Sequence, residues 1–551
     1  MTALRGFWNL RAGITGLALA FLALFLLYPL WLVLQSSVRD EATGAFTLTP
    51  FAQVLSSRYY LGSLRNSLVA AAMSMVFATL AGVPLAFCLA RVDVPGKSLL
   101  LALSSMPLVL PSFVSAYALV LLFGHAGVAT VALRSLGIAV GSIYGMPGIV
   151  IVYTLTLYPY VMLPTLAGFR AVDVAVEEAA RNLGASRGRA FRTVLLPLVA
   201  PSVLAGALLV FIEALENFGV PAVLAEDRPF LALDIFKLFF GEADSNASVA
   251  GALSVLLVGC TVAALMLQRH YLGRRRFATN ARQAPPLIRL GWAQRLLATG
   301  FCWGVVITSV LPFAAVVVIS FQRFRGPVLI WQFDLGNYGA LLHGSYRALF
   351  NTLLLASLAA AAATALGAPI GYVLARHRGR VSTLLDIIGT TPFAVSGTVL
   401  GIGLIVAFNS GWLVLTGGWL ILVVAYVVRK LPFSIRSASA IVRQIDPSLE
   451  EASINLGVAP LKTFLILTVP MMLGGLVGGM VLVWVTVAAE LSSTIVLYSS
   501  RWTTMTVLMF HALEGTAPGQ AAAAASILIL FTAAPLLLGY RLLRRYSGSL
   551  S

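Results

Sequence analysis

Residues 66–91 read NSLVAAAMSMVFATLAGVPLAFCLAR, and residues 351–376 read NTLLLASLAAAAATALGAPIGYVLAR. The two stretches follow one pattern of small, apolar and helix-interrupting residues. Four identities recur at a constant spacing of 285 positions: Asn66 with Asn351, Pro84 with Pro369, Arg91 with Arg376, and Pro107 with Pro392. An internal repeat constrains the architecture before any single motif does, because both copies must fold into the same kind of unit.

The repeat continues along the chain at a spacing of 273. The matches are Tyr153 with Tyr426, Pro159 with Pro432, Glu178 with Glu451, Gly184 with Gly457, and Pro197 with Pro470. The second copy is therefore slightly shorter between the two blocks. We predict a first half at 1–268, a cytoplasmic basic linker at 269–296 and a second half at 297–551.

Composition places both halves in a membrane. Of 551 residues, 59% are apolar and only 10% are charged, whereas a soluble domain is about half apolar and a quarter charged. Stretches of about 20 apolar residues, enough to cross a bilayer, are predicted at 13–35, 66–90, 99–123, 143–168, 198–224, 248–268, 297–320, 348–375, 384–409, 412–428, 471–499 and 519–540. Six spans per half is an even number, so the repeat is parallel. The predicted fold is an all-α integral membrane protein with twelve transmembrane helices in two parallel six-helix repeats.

The basic balance of 37 Lys and Arg against 20 Asp and Glu orients the chain. If both termini are cytoplasmic, most Lys and Arg fall in cytoplasmic loops, as the positive-inside rule expects. The positive charge is thereby accounted for by the membrane, and lipid rather than nucleic acid is the expected contact.

One cytoplasmic segment of each half has a shared form. Residues 177–198 read EEAARNLGASRGRAFRTVLLPL, and residues 450–471 read EEASINLGVAPLKTFLILTVPM. Acids in the first turn complement the positive end of a short helix, and a glycine can then end that helix through positive φ. A proline follows, where the next membrane helix is expected to begin. The pattern predicts a short, rigid helix on the cytoplasmic face.

These segments resemble the EAA loops, here 177–197 and 450–470, of bacterial ABC importer permeases. Val194, Leu196 and Pro197 complete the motif in the first copy, and the second departs mildly at Ser453 and Val469. The resemblance implies the type I ABC importer permease fold. It also implies a role in coupling to an ATPase for Glu178, Ala179, Ala180, Gly184, Pro197, Glu451, Ala452, Ser453, Gly457 and Pro470.

The resemblance also implies partners and a location. A homodimeric ATP-binding subunit on the cytoplasmic side would hold ATP and Mg, so this chain is expected to be a transport subunit that binds no cofactor. A soluble binding protein would deliver the solute at the outer side of a bacterial inner membrane. Two fused halves match the ferric-iron, thiamine and aminoethylphosphonate branch, and ferric iron is the expected cargo. Thiamine, aminoethylphosphonate or another phosphorylated or anionic solute is the alternative.

Ionisable residues inside predicted spans mark candidate functional positions, because a charge in a bilayer is costly. Glu216 and Glu490 recur at nearly the same depth in the two halves, beside residues that interrupt a helix or add hydroxyls. A substrate pathway is one interpretation, and helix packing is the other. The predicted pathway residues are Glu216, Asn217, Glu490, Ser492, Ser493 and Thr494.

Two other classes of function were weighed against an importer. A secondary transporter driven by an ion gradient would use the intramembrane acids for coupling, but it would not need two EAA loops. A membrane-embedded enzyme would need converging His, Asp and Glu side chains, whereas the five histidines lie at no ligand spacing. We therefore predict neither catalytic nor metal-binding residues.

Overall fold

The computed structural model describes residues 2–40, 44–108, 110–125, 127–138, 141–241, 246–274, 287–288, 290–326, 328–377, 379–515 and 517–548. The central part of the predicted linker, at 275–286, lies outside the described residues. Most of the described chain is helical, with one short hairpin.

The first half contains fourteen α-helices within its described residues. They are α1 (Thr2–Leu22), α2 (Tyr28–Ser37), α3 (Thr49–Ser56), α4 (Arg58–Arg91), α5 (Lys97–Ser105), α6 (Ser112–Phe123), α7 (Val128–Ser135), α8 (Met146–Ala171), α9 (Val174–Asn182), α10 (Arg187–Ala190), α11 (Leu196–Glu216), α12 (Gly219–Leu224), α13 (Leu231–Phe240) and α14 (Ala247–Arg274). Turns of π-helix lie at Ala23–Leu27 and Phe191–Leu195, and a 3-10 turn lies at Met106–Leu108.

The second half repeats this order and adds an antiparallel hairpin of β1 (Gln322–Arg325) and β2 (Val328–Phe333). Its helices are α15 (Trp292–Ser320), α16 (Gly336–Arg376), α17 (Arg380–Thr390), α18 (Gly397–Phe408), α19 (Trp419–Val442), α20 (Pro447–Asn455), α21 (Pro460–Thr463), α22 (Val469–Ala488), α23 (Thr494–Leu497), α24 (Met505–Glu514) and α25 (Pro518–Gly548). A π turn lies at Phe464–Thr468, and 3-10 turns lie at Thr391–Ala394 and Ser500–Trp502.

The helical membrane fold is confirmed. In the described part of the chain, ten helices are long and apolar enough to cross a bilayer, and a bent pair, Arg380–Ala394 with Gly397–Phe408, makes up to eleven. The remaining predicted span, at 412–428, is displaced: α19 begins at Trp419 and continues to Val442. The helix carries three cationic residues, Arg429, Lys430 and Arg436, and for that reason it is not among the ten.

The chain divides into two compact units that differ from the sequence halves. One unit contains Met1–Pro50, Leu238–Ala252 and Asp334–Ser551, and the other contains Phe51–Lys237 and Leu253–Phe333. The first membrane helix of each half therefore belongs to the unit built mainly from the other half. In the first unit, α1 packs against α16 and α17; in the second, α15 packs against α4, α5, α6 and α8.

Repeat-related glycines allow the second and fourth membrane helices of each half to approach closely. A Cβ at Gly82 of α4 would lie 3.0 Å from the Tyr158 carbonyl oxygen of α8, and a Cβ at Gly367 of α16 would lie 2.5 Å from the Cβ of Ser434 in α19. Helices in a bilayer gain little from the hydrophobic effect when they associate, so small residues that permit close packing supply the attraction instead.

Candidate functional site: paired coupling helices and a broken membrane helix

The two EAA segments fold as short helices, α9 and α20, with matching caps. The Asp173 carboxylate accepts a hydrogen bond from the Ala175 N–H at 3.0 Å, and Asp446 accepts one from the Ser448 N–H at 2.9 Å. The Ser448 N–H lowers the pKa of Asp446, because it favours the ionised carboxylate. At the other end, Gly184 has φ of 85° and Gly457 has φ of 86°. The positive φ predicted for both glycines is confirmed.

Pro197 and Pro470 lie in the first turn of α11 and α22, as the sequence predicted, but the helical path of each span already begins before them. Each is the second residue of an α-helix that directly follows a π turn, at Phe191–Leu195 or Phe464–Thr468. These turns join the prolines to the helical residues before them, within the long spans Gly188–Glu216 and Pro460–Ala488. Proline offers no N–H to the preceding turn, and a π turn is one way in which a helix accommodates that loss.

The first glutamate of each EAA segment turns towards the membrane helices. In the first half, Glu177 Oε2 lies 3.2 Å from Nη2 of Arg91, whose side chain is buried at the end of α4. Arg91 is one of the residues that define the repeat. The ion pair therefore ties the short helix α9 to the second membrane helix of its own half.

In the second half, the equivalent glutamate makes the same kind of contact and has more hydrogen-bonding partners. Glu450 Oε1 accepts hydrogen bonds from Arg376 Nη2 at 2.8 Å, from Arg376 Nε at 3.2 Å and from Thr468 Oγ1 at 3.3 Å. The Tyr372 hydroxyl donates to Glu450 Oε2 at 2.9 Å. At the positions of Tyr372 and Thr468 the first half has Phe87 and Leu195, so its carboxylate lacks these two donors.

The second glutamate of each segment faces outward. Glu178, Ala179, Glu451 and Ala452 are exposed, while Ala180 and Ser453 are half-buried. Sequence reasoning missed the residue before each glycine: Leu183 is 90% exposed and Leu456 is 85% exposed. They are the two most exposed large apolar side chains among the described residues. The signal was present, since leucine precedes the glycine in both copies.

The fifth membrane helix of each half is broken at the same place. In the first half α11 ends at Glu216 and α12 begins at Gly219, and Asn217 Oδ1 accepts a hydrogen bond from the Val220 N–H at 2.9 Å. In the second half Glu490 Oε1 accepts one from the Ser493 N–H at 3.3 Å. Asn217 is thus the counterpart of Glu490. Glu216, which the sequence placed at nearly the same depth as Glu490, is buried one residue earlier.

The predicted pathway residues of the second half surround a buried ion cluster. Glu490 Oε1 lies 2.6 Å from Arg429 Nη1, and Glu490 Oε2 lies 3.1 Å from Lys430 Nζ. Thr494 Oγ1 donates to the Glu490 carbonyl oxygen at 2.9 Å and also contacts the Tyr426 hydroxyl. The two cations escaped the sequence analysis because the predicted span ended at residue 428.

Ser492 and Ser493 lie on the other side of this cluster. A Cβ added at Gly397 would come within 2.8 Å of both the Ser492 Cβ and the Ser493 nitrogen, and would collide with the Arg429 guanidinium. The segment that follows α22 therefore packs against Gly397, the first residue of α18. The Arg429 side chain also contacts Gly397.

A family comparison agrees with this geometry. The family described as "binding-protein-dependent transport system inner membrane component" matches the chain twice, at residues 78–276 and 367–549. The chain belongs to this family. Each match covers one half from its second membrane helix onward, including its EAA segment, so the internal repeat is a fusion of two permease halves.

Individual relatives show how far the similarity extends. The ferric transport system permease protein FbpB of Actinobacillus pleuropneumoniae is 27% identical over 92% of this chain and 74% of its own length. A molybdate/tungstate transport system permease protein of Thermococcus kodakarensis is 30% identical over 40% of this chain and 83% of its own length. A putative 2-aminoethylphosphonate transport system permease protein of Salmonella paratyphi A is 30% identical over 37% of this chain and 72% of its own length.

The protein is therefore a fused, multi-pass inner membrane permease of the ABC importer class, and its relatives are transport subunits. In such a permease, α9 and α20 hold the family's EAA motif. The structure gives each helix an inward acid that ties it to a membrane helix and an outward face that presents leucine.

Proposed function

We propose that this permease imports ferric iron, with ATP hydrolysed by a homodimeric subunit that docks on α9 and α20 at the cytoplasmic side. The observation that carries the proposal is the duplication of one surface. We call α9 and α20 the proposed coupling helices. Each has an aspartate cap, a glycine with positive φ after its end, an inward glutamate and a protruding leucine. Two equal subunits of an ATPase dimer need two such surfaces, and this chain supplies both.

The orientation of the permease in the membrane follows from the docking of the ATPase on α9 and α20. Both termini and both coupling helices face the cytoplasm, and a soluble binding protein delivers the solute at the outer face. ATP and Mg are held by the ATPase, and the permease needs no cofactor of its own. The proposal also assigns coupling to the ATPase to ten residues of the EAA segments. They are Glu178, Ala179, Ala180, Gly184 and Pro197 in the first half, and Glu451, Ala452, Ser453, Gly457 and Pro470 in the second.

The mechanism is a population shift driven by ligands at the two ends. When ATP closes the ATPase dimer, it moves α9 and α20. The Arg91–Glu177 and Arg376–Glu450 pairs carry that displacement to α4 and α16 as rigid connections. In each half the broken fifth helix then lines the route of the solute, with Glu216 and Asn217 in the first half and Glu490, Ser492, Ser493 and Thr494 in the second. Broken helices of this kind line solute sites in other transporters.

Ferric iron is proposed as the cargo because permeases named for ferric transport match most of the chain. Thiamine, aminoethylphosphonate or another anionic solute is the alternative within the same mechanism, and a relative named for 2-aminoethylphosphonate transport supports it. An ion-gradient transporter would leave the two exposed leucines without a partner.

Stoichiometry tests the proposal. Because one chain presents both coupling helices, the purified complex should contain one permease and two ATPase subunits. Native mass spectrometry or light scattering of the detergent-solubilised complex measures this ratio. Two permeases with two ATPases, or a permease that carries out full uptake with no ATPase present, would contradict it.

A further inference from the structure

The second half holds a cluster of three charged side chains: Arg429 and Lys430 near the middle of α19, and Glu490 just after the end of α22. Arg429 lies ten residues after Trp419 and thirteen before Val442, the ends of α19. At 1.5 Å per residue this position is about 15 Å from one end and about 20 Å from the other, close to the centre of a hydrocarbon layer about 30 Å thick. Charges at this depth are costly and mark functional positions.

The cluster has two cations for one carboxylate. Arg429 and Lys430 each contact a different oxygen of Glu490, and the three side chains are 11%, 13% and 7% exposed. The Arg429 guanidinium lies against Gly397, the first residue of the twelve-residue helix α18. The amino end of a helix carries partial positive charge, so it adds to the field of the two cations.

The first half has no cation at the two positions that correspond to Arg429 and Lys430. The counterparts of Arg429 and Lys430 are Thr156 and Leu157, and Ser112 stands in place of Gly397. There, the Asn217 amide donates a hydrogen bond to the Ser112 hydroxyl at 2.9 Å and bridges the same two elements. In the first copy a neutral hydrogen bond bridges these two elements, so joining them does not require the cations of the second copy.

We propose that Arg429 and Lys430 form a binding site for a small oxyanion, for which Glu490 is the resting counter-ion. The site rests on the importer function proposed above and adds a chemical class to its cargo. A phosphonate, molybdate or carboxylate group displaces the Glu490 carboxylate from Lys430 while Arg429 supplies paired donors, since guanidinium matches oxyanion geometry. The oxyanion is either the cargo itself or a ligand of the ferric ion that is carried.

Thermal unfolding of the full-length permease in lipid nanodiscs tests this site. A ligand that binds only the folded state raises Tm, so oxyanions should raise it by about 2 °C relative to chloride at equal ionic strength. Lys430→Gln should abolish this shift, and Lys430→Arg should retain it. Glu490→Gln should enlarge the shift, because the internal competitor has lost its charge.

Opposite effects of two substitutions in one cluster separate binding from packing. A purely structural cluster predicts that Lys430→Gln and Glu490→Gln both lower Tm and leave the oxyanion response unchanged, and that result would overturn the proposal. If Glu490→Gln does not fold, the comparison of Lys430→Gln with Lys430→Arg still tests binding, because both variants keep the 2.6 Å Arg429–Glu490 pair. Equal shifts in wild type and Lys430→Gln would also overturn it.

The two sources of the oxyanion are distinguished by the ligand. A shift with molybdate, phosphate or 2-aminoethylphosphonate alone indicates an anionic cargo. A shift with ferric citrate but not with citrate indicates a ferric ion that travels with its anionic ligand. No shift with any of these ligands rejects the site. That failure would leave the importer assignment intact, because the one-to-two stoichiometry with the ATPase is measured separately.

Discussion

Replacing Leu183 and Leu456 together by aspartate is expected to release the ATPase from the permease. Both leucines directly follow the proposed coupling helices, are highly exposed and lie outside the membrane spans, so a groove of the ATPase is the cover that we propose for them. Burying each one contributes about 1.5–3 kcal/mol. Losing both therefore weakens docking by at least about 100-fold, since 1.4 kcal/mol is a factor of ten, and a buried aspartate adds its own desolvation cost.

Co-purification of the ATPase with tagged permease measures this effect, and the single variants should each show part of it. Leu136→Asp is the matched control, because Leu136 is also a highly exposed leucine outside the coupling helices. Neither double nor single substitution alters a buried residue, so membrane insertion and yield should stay normal. An intact complex in the double variant would mean that the leucines face water and that docking uses another surface.

The features that the sequence predicted well depend on local chemistry. A glycine six residues after Glu178 or Glu451 ends a short helix whatever lies beyond it, and the structure has positive φ at both positions. The repeat predicted which residues are equivalent, because its spacing does not depend on the folded partner. Helix-interrupting residues also predicted the break of the fifth helix in the first half, where α11 ends at Glu216.

Other features depend on partners that are distant along the chain. The exchange of the first membrane helix between units follows from packing with α16 or α4, which no local pattern records. The repeat already showed that Glu216 and Glu490 differ by one residue, but not that Asn217 and Glu490 accept equivalent hydrogen bonds at the helix breaks. The span predicted at 412–428 stops before Arg429 and Lys430, because no local pattern shows that their carboxylate partner, Glu490, lies far along the chain.

Two ion pairs, Arg91–Glu177 and Arg376–Glu450, anchor the proposed coupling helices to membrane helices. These two anchors should differ in strength, and the difference should be measurable in transport. Glu450 accepts four hydrogen bonds from three side chains, whereas Glu177 accepts one from Arg91. Hydrogen bonds to a charged group contribute about 1.5–3 kcal/mol each. We expect Glu450→Gln to lower solute transported per ATP hydrolysed by at least about tenfold, and Glu177→Gln to lower it less.

Uptake of radiolabelled solute and release of phosphate, measured together in proteoliposomes with the binding protein, give this ratio. The ATPase should remain bound in both variants, because the inward glutamates are not on the docking face. Tyr372→Phe provides a matched test, since it converts the second-half anchor to the residue that the first half has at Phe87. It should weaken coupling while leaving the Arg376–Glu450 contacts in place.

A double-mutant cycle decides whether the anchor acts as a pair. The Arg376 side chain is only 10% exposed, and removing Glu450 alone leaves its guanidinium without that partner, a loss that typically costs about 3–5 kcal/mol. Arg376→Gln with Glu450→Gln should therefore be no worse than Glu450→Gln alone, because the second change removes the stranded charge. Additive losses would show that the two residues act separately. Equal losses for Glu177→Gln and Glu450→Gln would show that a single contact to the membrane helix is enough to transmit the motion.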